Sequence, residues 1–77
     1  MQFKALAWNM IDVMKNAPHD EYDRCAYMFK ITYNCMSRIE QTNFIYTLRL
    51  IAPKYDKAFP KSKKFWNIET FIRILVN

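Results

Sequence analysis

This 77-residue chain contains no glycine. Tight hairpins with primed turns need residues at positive φ, and phosphate-cradling loops need a backbone free of Cβ, so the absence argues against both and biases the chain toward helices. Histidine occurs once, at His19, and cysteine twice, at Cys25 and Cys35. Neither cysteine stands at zinc-ligand spacing from the other or from His19, so no metal and no other cofactor is expected. Ten residues apart on one predicted helix, the two sulfurs are separated by about 15 Å, too far for a disulfide, and reduced core thiols are expected. Neither a cleavable signal sequence nor a bilayer-length apolar run is visible, which makes the cytoplasm the expected location.

The chain has the length of one domain, residues 1–77, near the lower limit at which a single core outweighs chain entropy unaided. Its expected folding free energy is only about 4 to 12 kcal/mol. Against that, 52% of the residues are hydrophobic and 17% aromatic, far too apolar a composition for disorder. No repeat, linker or low-complexity tract appears. Pro18, Pro53 and Pro60 divide the chain into segments of helical length. The predicted fold is all-α, a small bundle of three to four short helices.

In the first segment, Gln2 to Asn16, Phe3, Leu6, Ala7, Met10, Val13 and Met14 recur at helical spacing as a core stripe, leaving Trp8 on the polar side with Lys4 and Asp12, where it is expected to be a partly covered boundary residue or else a partner-contact anchor. Asp20 is the expected N-cap of a second helix, with Glu21 and Asp23 in its first turn. From there Tyr22, Cys25, Met28, Phe29, Thr32, Cys35, Met36 and Ile39 make a second apolar stripe, and Tyr27, Lys30, Asn34 and Arg38 face outward. Residues 44–51 fit both an alternating strand and a helix face. Helix is preferred, because a lone strand lacks a pairing partner, with Thr42 or Asn43 as its cap and an end before Pro53. A last helix from about Ser62 is expected to bury Phe65, Ile68, Phe71, Ile72 and Leu75 and to turn Trp66 outward beside Lys63, Thr70 and Arg73.

Charge is distributed unevenly. Residues 1–40 carry five basic and five acidic side chains, whereas residues 41–77 carry seven basic against two acidic, so the net +5 lies wholly in the second half. Lys54, Lys57, Lys61, Lys63 and Lys64 face a single acid, Asp56, and are interleaved with Tyr55 and Phe59 just ahead of Phe65 and Trp66. Such asymmetry points to a polyanionic or acidic partner. Solubility accounts for lysines but not for the aromatic rings set among them. The acids at 20, 21 and 23 lack the desolvated pocket that would separate two carboxyl pKa values, and Cys25 or Cys35 with His19 would have to leave structural roles, so no enzyme is expected. Membrane-surface binding is disfavoured because Pro53 and Pro60 interrupt the long amphipathic helix it uses.

Short, glycine-free and rich in Met, Asn, Lys, Ile, Tyr and Phe, the chain resembles in composition the small accessory proteins of bacteriophages and other mobile elements. The resemblance carries no functional residues. It implies a protein acting in the cytoplasm of a bacterial host, where such proteins often bind a host macromolecule and block or redirect it. Two functions follow. The first is a non-enzymatic inhibitor or modulator that docks on a host protein or nucleoprotein with an acidic surface, through Trp8 or Trp66 as anchors and the basic run. The second is direct, sequence-tolerant binding of RNA or DNA, in which Lys54, Lys57, Lys61, Lys63, Lys64 and Arg73 neutralise phosphates while Tyr55, Phe59 or Trp66 stack on bases. The apolar surplus also leaves room for a homodimer.

Overall fold

A computed structural model describes residues 3–60 and 66–77. These residues are all-α, as expected: α1 (Lys4–Asn16), a 3-10 turn (His19–Glu21), α2 (Tyr22–Asn34), α3 (Arg38–Ala58) and α4 (Ile68–Val76). No described residue has positive φ, so the helices end without the left-handed caps that glycine would supply. α1 and α3 instead run out ahead of Pro18 and Pro60, and α2 ends in a right-handed turn at Cys35. Ala17, forced from the helical region by the proline that follows, closes α1.

The α1 stripe is buried at Ala7, Met10 and Met14, with Ile11 added and Val13 only partly covered. Asp20 does not cap α2. It lies in the 3-10 turn, and Glu21, the residue ahead of α2, makes no capping bond and pairs instead with Arg24 at 2.7 Å.

The second apolar stripe is corrected more deeply. It assumed one continuous helix to Ile39, but the chain turns at Cys35 to Ser37, because Ser37 starts a new helix with a reciprocal cap. Its Oγ accepts the Glu40 N–H at 3.2 Å while Glu40 Oε1 accepts the Ser37 N–H at 2.9 Å. Ile39, beyond the turn, is therefore exposed; within α2 the buried face is Ala26 and Tyr33, with Tyr22, Cys25, Phe29 and Met36 packed around it, and Met28, Thr32 and Cys35 are exposed. Cys35 is therefore a surface thiol rather than a core one, and Cys25 is half-buried.

Residues 44–51 are helical, but inside a helix of 21 residues, longer than expected at both ends. Thr42 and Asn43 are not caps: Ser37, five residues ahead of Thr42, holds that role, and the Thr42 hydroxyl donates to the Arg38 carbonyl at 3.1 Å inside the helix. Pro53 lies within α3 on an exposed position, so its ring and the missing N–H fall toward water while Tyr55, two residues on, anchors the helix in the core. In α4, Asn67 Oδ1 accepts the Glu69 N–H at 2.8 Å as N-cap, and Phe71, Ile72 and Leu75 are buried. The last helix thus begins at Ile68, later than the expected start at about Ser62, because Trp66 and Asn67 are not helical and Asn67 supplies the cap; Ser62 itself and the burial of Phe65 fall outside the described residues.

α1 packs mainly on α3 and α2 on α4, while α1 with α2 and α3 with α4 complete the ring. α2 and α3 thus occupy opposite corners, sharing little beyond their connection, where Gln41 Nε2 donates to the Tyr33 carbonyl at 3.1 Å. The centre is filled by Phe44, Leu48, Phe71, Met10 and Leu75, and rings meet edge to face between Phe3 and Phe44 (5.6 Å) and between Phe29 and Phe71 (6.2 Å).

Candidate functional site

α3 has two faces of opposite kind. Phe44, Leu48, Ile51 and Tyr55, at steps of four, three and four, are buried against α1 and α4. On the far side, Ile39, Asn43, Tyr46 and Leu50 follow the same stepping, so they stack along one outward line. Ile39, Tyr46 and Leu50 are 76%, 65% and 47% exposed. Lys54 and Lys57 continue that line into the last turns, both exposed and, among the described residues, without an ion-pair partner. Phe59, about half exposed, closes the end. Over a helix about 31 Å long, an apolar surface therefore passes into a positive one.

Asp56, the one acid in the lysine run, is turned the other way. Its carboxylate accepts from Lys15 Nζ, whose side chain is only 8% exposed and lies 5.9 Å from the ring centroids of both Tyr55 and Trp66. Together with Arg49, Trp66 and Glu69 this pair lines an open cleft of about 460 Å³ between α3 and the start of α4. Arg49 meets Glu69 with two bonds of 2.9 Å, which hold the Glu69 carboxyl below its usual range and raise the guanidinium. The charges of the cleft are thus paired with one another, and its described lining includes neither histidine nor cysteine.

The predicted contact residues are not one surface. Tyr55, 2% exposed, faces the core, so its ring is closed to base stacking. Its hydroxyl donates to Asp12 Oδ1 at 2.6 Å and accepts from Asn16 Nδ2 at 3.2 Å, and burial, followed by the Asp12 contact, pushes its pKa up. Trp8 is the partly covered boundary residue expected of its place outside the stripe. It is half-buried, 5.4 Å from the Tyr55 ring and 6.2 Å from Phe59. Trp66 does not point away. It precedes α4, turns inward against Phe71 at 5.7 Å and donates its indole N–H to the Tyr22 hydroxyl at 2.9 Å. Arg73 is exposed on α4, while Lys61, Lys63 and Lys64 lie outside the described residues.

Sequence reasoning missed Ile39, Tyr46 and Leu50 as an outward set. The signal was present in Ser37-Arg38-Ile39-Glu40, a capping-box pattern that fixes where α3 begins and hence which residues share its outer face. Among the described residues no helix is long and apolar enough to cross a membrane, and no group of three or more His, Cys, Asp or Glu side chains is placed to hold a metal ion. No protein-family model, curated protein or solved structure matches the chain.

Proposed function

We propose that this protein is a small, non-enzymatic binding module that docks on a host protein or nucleoprotein through the outer face of α3 and thereby inhibits or modulates it in the cytoplasm. The observation that carries the reading is the outward line on which Ile39, Tyr46 and Leu50 pass into Lys54 and Lys57, which have no ion-pair partner among the described residues. Exposed apolar side chains aligned on one helix suit insertion of that helix into a partner's groove, where desolvation of Tyr46 and Leu50 supplies affinity. The two lysines suit an acidic rim, which speeds encounter more than it tightens the complex. Relative to the sequence expectation, the anchors move from the tryptophans to α3 while the acidic partner stays. With Tyr55 inward, the base-stacking set shrinks, which favours a protein surface over nucleic acid.

The test couples two measurements. The native chain is assayed against mixed-sequence single- and double-stranded DNA and RNA at two salt concentrations, and a partner captured from host lysate is identified, purified and titrated. Expected are weak nucleic-acid binding and a defined complex that Leu50→Glu abolishes and Lys54→Glu with Lys57→Glu slows. Tight, steeply salt-dependent nucleic-acid binding that survives Leu50→Glu and fails with the lysine variant would replace this reading with direct nucleic-acid binding.

A further inference from the structure

At the corner opposite α3, α2 carries a second outward apolar patch. Tyr27, Met28 and Ile31 are 63%, 60% and 46% exposed, and Cys35 extends them by one turn. Its electrostatic setting differs from that of α3. Residues 19–36 hold three acids, Asp20, Glu21 and Asp23, against two bases, Arg24 and Lys30, a balance of −1 within a chain of +5. Arg24 is already neutralised by Glu21. Two copies of so basic a chain repel wherever their lysines meet, and this patch is where they approach with least opposition.

We propose that the α2 face is a self-association surface whose occupant is a second copy of this chain, joined about a two-fold axis. An antiparallel crossing centred between Met28 and Ile31 sets Met28 of each copy against Ile31 of the other, with the Tyr27 rings covering the flanks. The same operation carries the acidic turn at Asp20 and Asp23 toward the C-terminal end of the second copy's α2, where Arg38 stands exposed and without an ion-pair partner among the described residues. The pattern is therefore complementary to itself in shape and in charge. A helix about 20 Å long and 10 Å wide buries well under the roughly 1,600 Å² of a standard interface, so the dimer is weak, with a dissociation constant of order micromolar or above. This inference stands independently of the α3 docking reading.

Sedimentation equilibrium of the native chain, from about 10 µM to about 1 mM, tests it alongside far-UV circular dichroism. Expected is a reversible monomer–dimer equilibrium that Ile31→Glu weakens at least about tenfold with helicity unchanged, and that Tyr46→Glu on α3 leaves intact. A monomer at every concentration overturns the proposal, as does a dimer lost with Tyr46→Glu but kept with Ile31→Glu. Should Ile31→Glu lower helicity, the pair Tyr27→Ala with Met28→Ala replaces it, and a dimer undiminished by that variant overturns the proposal equally.

Discussion

Lys15 on α1 and Asp56 on α3 form an ion pair whose two halves sit in different media: the lysine side chain is 8% exposed and the aspartate 55%. Deleting one half is therefore not equivalent to deleting the other. In Asp56→Ala the ammonium stays buried with only its ring neighbours, at an expected cost of about 3 kcal/mol. In Lys15→Met the carboxylate turns to water and the methionine fills the same channel, at an expected cost under about 1 kcal/mol. Urea unfolding of both variants checks the order, and a larger loss for Lys15→Met would show that the packing of the lysine stem outweighs its charge.

Pro53 deprives α3 of one backbone bond at an exposed position. Pro53→Ala restores the donor but loosens the unfolded chain, two effects of about 3 and about 1 kcal/mol with opposite sign. A net gain of about 1 to 2 kcal/mol is expected from thermal or urea melts. A loss would mean that the restricted φ of proline stabilises the fold by more than the missing backbone bond costs it.

Ser37→Ala removes half of the capping box and should lower stability by about 1 kcal/mol. The partner half titrates. The Ser37 backbone N–H and then its hydroxyl hold the Glu40 carboxyl below the usual range, so its contribution is complete above the ordinary glutamate pKa of about 4.3 and is lost as pH falls through the depressed folded value. Glu69, depressed by Arg49, acts in the same direction. Acid titration followed by circular dichroism should therefore show a shallower fall in Glu40→Gln than in the native chain.

Tyr55 gives the opposite sign at the alkaline end. Burial raises its pKa, so the phenol favours the fold fully below the unfolded value of about 10, and stability is lost as pH rises through the raised folded value. Tyr55→Phe should flatten that alkaline loss while costing about 1 kcal/mol at neutral pH for the bonds to Asp12 and Asn16.

Acrylamide quenching reports the indoles. Trp8 and Trp66 are each half-buried, so intermediate quenching constants are expected for both, and Tyr22→Phe should raise the accessibility of Trp66 by removing the hydroxyl that accepts its indole proton. Emission as fully quenched as that of free indole would contradict the packing against Tyr55 and Phe71.

Helical character and the buried stripe of α1 were legible from apolar spacing, whereas the helix through residues 44–51, whose spacing fits a strand as well, was legible only because a lone strand would have had no pairing partner. The outer faces were not. A stripe projected past Asn34 counted Cys35 and Ile39 as core, since periodicity carries no mark of where one helix stops and the next begins. The mark was chemical, in Ser37 and Glu40. Trp8 was legible as a boundary residue, but a helical wheel places it by its own backbone and did not show its ring leaning onto Tyr55 and Phe59 across the bundle. Trp66 precedes α4, so no wheel applies to it.

Because α2 and α3 stand at opposite corners, whatever covers one leaves the other open. Two copies joined back to back through α2 would hold their basic helices at the far ends of a single particle, like the arms of a clamp. A target with two matching sites would then meet the second arm at an effective concentration approaching millimolar, so a modest single-arm affinity would be multiplied without any new contact, and dilution alone would switch that gain off.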